Sequence, residues 1–124
     1  MSKEVHLHIA LCLYIKETYP NIIFTSESSG IRVPMGQARQ LKKMRSCASL
    51  PDIWIMEPKK SYYGCFLEVK KEGTTIYKKN GDIRADQHLQ AQENILHTLN
   101  QKGYFAQFVI GYDQAKAVID YYLG

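Results

Sequence analysis

Two short stretches carry residue types that could do chemistry together: Leu50-Pro51-Asp52-Ile53-Trp54, and Cys65-Phe66-Leu67-Glu68-Val69-Lys70. Both read as buried strands, yet each contains charge. Side chains alternate between the faces of a strand, so Glu68 and Lys70 share a face with Phe66. An isolated charge moved from water into apolar surroundings costs several kcal/mol unless it is compensated. A divalent cation between the carboxylates of Asp52 and Glu68, with Lys70 beside it, is one such compensation. Mg²⁺ prefers hard oxygen ligands, commonly one or two carboxylates completed by water and substrate phosphate. The Val69 backbone carbonyl could add a ligand at the strand edge. That donor set suits phosphodiester hydrolysis, with Mg²⁺ (or Mn²⁺ in its place) polarising the phosphate and Lys70 acting as a point charge on water or phosphate. Taken singly, Asp52 after Pro51 is as well explained as a turn cap, and Glu68 with Lys70 as a surface pair. In this order, inside a basic segment, they read as a site.

The elements that must position these residues follow from spacing. Residues 4–19 read as a helix with Val5, Ile9, Cys12, Leu13 and Ile15 or Lys16 at helical intervals, stopped by Pro20. Glu4 and His8 share a face of it, whereas the two-residue step from His6 to His8 turns those side chains apart. His8 is then either an ordinary helix histidine or a neighbour of the cleft with Glu4. A short strand is expected over 21–25, a turn-rich loop over 26–30, and a helix over 35–44. Arg39, Lys42, Lys43 and Arg45 mark that helical region either as a solvated face or as a track for a phosphate backbone.

Strands are expected over 52–56 and 63–71. Their short connection favours an antiparallel hairpin, which would bring Asp52 to Glu68. Residues 72–85, rich in lysine and glycine, read as a mobile basic loop or loose hairpin. Asp86 caps a helix over 87–102 with an apolar stripe of Leu89, Ile95, Leu96 and Leu99, closed by Gly103. A strand over 104–110 follows. Asp113 then caps a helix over 114–123 whose apolar side is Ala117, Val118, Ile119, Tyr121 and Tyr122. The order α–β–(α)–β–β–α–β–α gives an α/β fold with helices on a mixed sheet. The crossover from Lys70 to Tyr104 should make its two strands parallel. No glycine-rich turn follows the first strand and no Walker A sequence is present, which excludes a Rossmann or P-loop site.

With 124 residues and ordinary apolar and charged fractions, the chain is the size of one domain, spanning 1–124. No apolar run is long enough to cross a bilayer, and the N-terminus lacks a signal-peptide pattern, so a cytoplasmic protein is expected. Cys12, Cys47 and Cys65 are odd in number and widely spaced, and read as reduced thiols. The net charge is +4, but it is unevenly spread: Arg32 to Arg84 holds 12 basic and 5 acidic residues, the flanks 4 and 7. A basic middle enclosing the carboxylates fits a polyanionic partner.

Pro51-Asp52 followed by Glu68-Val69-Lys70 resembles the PD-(D/E)xK signature of restriction-endonuclease-like nucleases. The finer resemblance is to the VRR-NUC family in its small stand-alone phage and bacterial form. It is carried by the N-terminal helix with Glu4, by Gly36-Gln37-Ala38-Arg39 and by Gly64 to Lys71. His88 with Gln92, Gly103-Tyr104-Phe105-Ala106 and Gly111 to Ala115 complete it. One departure is Ser49-Leu50 before Pro51-Asp52, where the family tends to have glycine. The resemblance implies a restriction-endonuclease-like mixed sheet flanked by helices and a Mg²⁺-dependent DNA endonuclease. Asp52, Glu68 and Lys70 would be catalytic, Gln92 a hydrogen-bonding group within the site, and Glu4 an additional metal ligand or a support to one. It further implies a homodimer acting on branched DNA such as four-way junctions, in a bacterial cell or encoded by a phage. The competing reading is a nucleic-acid-binding module that keeps the fold without catalysis; the intact Asp52, Glu68 and Lys70 argue against it.

Overall fold

The computed structural model describes residues 3–27 and 33–124. Its elements run α1 (Lys3–Thr18), β1 (Phe24–Ser26), α2 (Met35–Met44), β2 (Ile53–Ile55), β3 (Cys65–Lys70), α3 (Gln87–Gln101), β4 (Phe105–Ile110) and α4 (Gly111–Leu123). The strands form one sheet in the order β1-β2-β3-β4. The β1–β2 and β2–β3 pairs are antiparallel and β3–β4 is parallel, as the short hairpin and the helical crossover require. The first strand lies later than the 21–25 expected, because Ile55 sets the register by pairing with Phe24. The loop expected over 26–30 falls partly outside the described residues.

Strand alternation divides the sheet between two cores. Cys65, Leu67 and Val69 of β3 join Ile53, Ile55 and Val109 against Leu11 and Ile15 of α1 and Ala115, Ile119 and Tyr122 of α4. On the other side, Phe66 and Ile110 pack with Ala106, Phe108 and the α3 residues Leu89 and Leu96. The result is three layers, with α1 and α4 on one face and α3 on the other. Tyr14 and Tyr19 both donate to Asp120 Oδ1, at 2.6 and 2.7 Å, and tie α1 to α4.

The helix faces differ in part from those expected. On α1 the buried stripe is Leu11 and Ile15 with Leu7 and Tyr14 beside them, while Ile9 and Leu13 are 44% and 50% exposed. The helix is apolar around most of its circumference, so two stripes fit helical spacing and periodicity cannot choose between them. On α4 the buried residues are Ala115, Ile119, Tyr122 and Leu123, with Tyr121 turned outward. That helix also begins earlier than expected. Gly111 takes a positive φ of 79° at the sharp exit from β4, and Asp113 lies in the first turn without capping it. The Gln114 side chain instead accepts the Ile110 N–H at 2.5 Å.

Asp86 caps α3 as expected, its Oδ1 accepting from the N–H groups of His88 (2.9 Å) and Leu89 (3.0 Å). Gly103, at φ 98°, ends the helix. The basic stretch after β3 takes the loose-hairpin form, with Tyr77 bridged to Ile83 and a turn around Asn80 and Gly81. Its few apolar residues matter, since Ile76 is buried in the core beneath α3.

Candidate active site

Asp52 is fixed on three sides before any chemistry is considered. Its N–H donates to the Leu67 carbonyl at 3.0 Å, and its own carbonyl accepts the Glu27 N–H at 2.6 Å. Its side-chain Oδ2 accepts the Val69 N–H at 2.8 Å. The approach is fixed as well: Pro51 is fully buried, and the Trp54 indole N–H donates to its carbonyl at 2.7 Å. Glu68 is held by the parallel ladder, where it pairs with Phe108 of β4. The antiparallel pairing of Ile53 with Leu67 then brings Asp52 to Glu68. The register expected from the short hairpin is the one the chain adopts.

Both carboxylates are deeply buried, with 7% of Asp52 and 4% of Glu68 exposed. The Glu68 carboxyl is pushed far above the usual carboxylate range. Burial is the largest cause, followed by a hydrogen bond with Asp52 and then by the Asp52 charge; Lys70 opposes the shift and Glu4 adds to it. Glu68 therefore holds its proton more tightly than a solvated carboxyl does, with the neighbouring Asp52 among the causes. Lys70, half-buried, stands near enough for its charge to act on Glu68, as does Glu4 on the exposed first turn of α1.

His8 is on the inward face of α1, with Nε2 3.8 Å from Asp52 Oδ2. Of the two positions that spacing left open for it, the structure gives the one beside the carboxylates. Gln92 is also buried, 5% exposed, and its amide pairs with His88 Nε2 at 3.1 Å. No hydrogen bond joins Gln92 to Asp52 or Glu68; its Oε1 is buried without a partner, and so is His8 Nε2. Among the described residues no group of three or more His, Cys, Asp or Glu side chains is arranged to hold a metal ion.

The donor chemistry nonetheless fits Mg²⁺. Two buried hard-oxygen ligands act on one another, burial and the Asp52 charge make an anionic Glu68 costly until a cation offsets it, and among the described residues two buried polar atoms lack partners. Asp52 and Glu68 would hold the ion, with the Val69 carbonyl and Glu4 as further candidates.

Glu27 is a residue that spacing did not single out. It is buried at the end of β1, and its carboxylate forms an ion pair with Arg45, just past α2. No residue of α2 is fully buried, and this pair, beside the backbone of Asp52, ties the end of the basic helix to the sheet. A glutamate among serines in a turn-like stretch gives no sign of this.

The mixed four-stranded sheet with flanking helices is the fold of VRR-NUC nucleases. A solved structure described as a VRR_NUC domain protein superposes with a TM-score of 0.68 at 22% identity, over 99% of this chain and 89% of that one. No family model matches the sequence, and no curated protein matches it. No described helix is long and apolar enough to cross a membrane.

Proposed function

We propose that this chain is a member of the VRR-NUC family and a Mg²⁺-dependent DNA endonuclease, acting as a homodimer on branched DNA such as four-way junctions in the cytoplasm. The observation that carries the nuclease reading is the buried Asp52–Glu68 pair with Lys70 beside it, on the fold that a VRR_NUC domain protein shares. Burial and the neighbouring Asp52 disfavour the charged form of Glu68, and a hard cation between the two carboxylates would offset that cost.

Bound there, Mg²⁺ supplies a Lewis acid for the phosphoryl oxygens. The chain's residues do the rest. Asp52 and Glu68, fixed by backbone contacts, hold their oxygens without reorganising. Lys70 places a positive charge where negative charge develops, and Gln92 offers its free Oε1 to a hydrogen-bond donor. Arg39, Lys42 and Lys43 on the exposed α2 neutralise backbone phosphates and carry affinity, not sequence preference. The preference for junctions and the two-fold assembly rest on the family resemblance, and a two-fold dimer matches the symmetry of two strands to be cut.

The test is incubation of wild-type protein and Asp52→Asn with Mg²⁺ and labelled linear, flapped and four-way DNA. Cutting of the junction by wild type alone is expected. Equal cutting of linear DNA removes the junction preference, and binding to every substrate without cutting any overturns the enzyme.

A further inference from the structure

We infer that His8 is a further catalytic residue, whose Nε2 hydrogen-bonds a non-bridging oxygen of the scissile phosphodiester beside Asp52. This rests on the nuclease reading above and adds a residue from α1 to it. A buried ring nitrogen is normally satisfied by protein or water, and leaving one unmade costs about 1–3 kcal/mol. His8 Nε2 is shut off from solvent and has no hydrogen-bond partner. Its nearest acidic oxygen, Asp52 Oδ2 at 3.8 Å, is beyond hydrogen-bond reach and already accepts the Val69 N–H. The imidazole is therefore aimed at the carboxylate pair but needs a third atom.

The backbone that carries the ring is held in place. α1 is pinned by Leu11 and Ile15 in the main core and by Tyr14 and Tyr19 on Asp120. The His8 and Asp52 side chains keep 12% and 10% of their surface exposed, and a substrate oxygen entering by that opening needs only a small turn of the ring to meet this nitrogen. Such a donor is set before the reaction and acts on the charge that develops on the phosphoryl group. Glu4, one turn earlier on the same face, is exposed, which leaves His8 as the α1 side chain seated against Asp52.

The test combines kinetics with a readout independent of turnover. His8→Ala should lower kcat on DNA by about 10²-fold with little change in KM, and His8→Gln, which keeps a nitrogen donor, should recover part of the loss. Wild type should discriminate between the two phosphorothioate diastereomers at the cut site, and His8→Ala should lose that discrimination. In Ca²⁺, without cleavage, DNA should shift the His8 ring nitrogen resonances and leave those of His97 unmoved. An active His8→Ala with unchanged phosphorothioate preference, or a His8 ring unmoved by DNA, overturns the assignment while leaving the nuclease reading in place. A melting temperature lowered as much in His8→Gln as in His8→Ala, with activity following it, makes the residue structural and overturns the assignment too. Failure of the wild-type protein to cut any DNA overturns the nuclease reading and this role with it.

Discussion

Replacing Glu68 with Gln should stabilise the metal-free protein while abolishing its activity. Glu68 is 4% exposed, and burial and Asp52 together raise its proton affinity in the folded state. Below the pKa of a free glutamate both folded and unfolded chains carry the proton, and the group has no effect on stability. As pH rises above about 4.5 the unfolded chain releases the proton and the folded chain retains it, so wild-type stability falls. Each tenfold change in proton affinity is worth about 1.4 kcal/mol, and roughly three and a half such steps separate 4.5 from pH 8, so at pH 8 the wild type should trail Glu68→Gln by about 5 kcal/mol, or roughly 20 °C in melting temperature. Gln is neutral, nearly isosteric and able to donate to Asp52 as the protonated carboxyl does. Thermal unfolding in chelator should therefore show curves that coincide near pH 4 and separate steadily towards pH 8. Mg²⁺ should raise the wild-type curve and leave the variant unmoved. A variant less stable than wild type at pH 8, or a gap independent of pH, refutes the reasoning.

Three further outcomes follow from the same structure. Changing Arg39, Lys42 and Lys43 to Ala should weaken DNA binding and reduce the slope of log affinity against log salt by about 2–3, read by fluorescence anisotropy; an unchanged slope removes α2 from the interface. Arg45→Met should remove the ion pair from the buried Glu27 carboxylate and cost about 3 kcal/mol in denaturant unfolding, whereas Glu27→Gln with Arg45→Met should recover part of it. Asp86→Ala should cost about 1 kcal/mol by removing two capping bonds from α3, with cleavage at saturating DNA unaffected.

Where the sequence was legible, a local rule had one solution. The short link between the strands allowed only a hairpin, and Asp52 met Glu68 as that predicts. Asp86 and Gly103 bracket α3 because a side-chain acceptor and a positive φ are needed at those ends. The faces of α1 and α4 were not legible, since both helices have apolar residues on more than one side and tertiary packing decides which are covered. Gln92 is marked by the family resemblance alone; helical spacing leaves it an ordinary polar residue, and its burial beside His88 is a matter of tertiary packing. The Glu27–Arg45 pair joins residues from separate segments with no spacing rule between them. His8 could be placed on the face of Glu4 by helical spacing, but only the contact with Asp52 brings it to the carboxylates.

In the function we propose, Asp52 and Glu68 hold the ion with which this fold cuts DNA. The most direct measurement is the cleavage rate of end-labelled four-way DNA as Mg²⁺ is titrated, for wild type and for Asp52→Asn. The rate should rise and saturate with Mg²⁺ in the wild type, vanish in chelator, and fall by at least about 10²-fold in the variant while DNA binding persists. Cleavage that survives chelator, or an Asp52→Asn protein that cuts as fast as wild type, would contradict it.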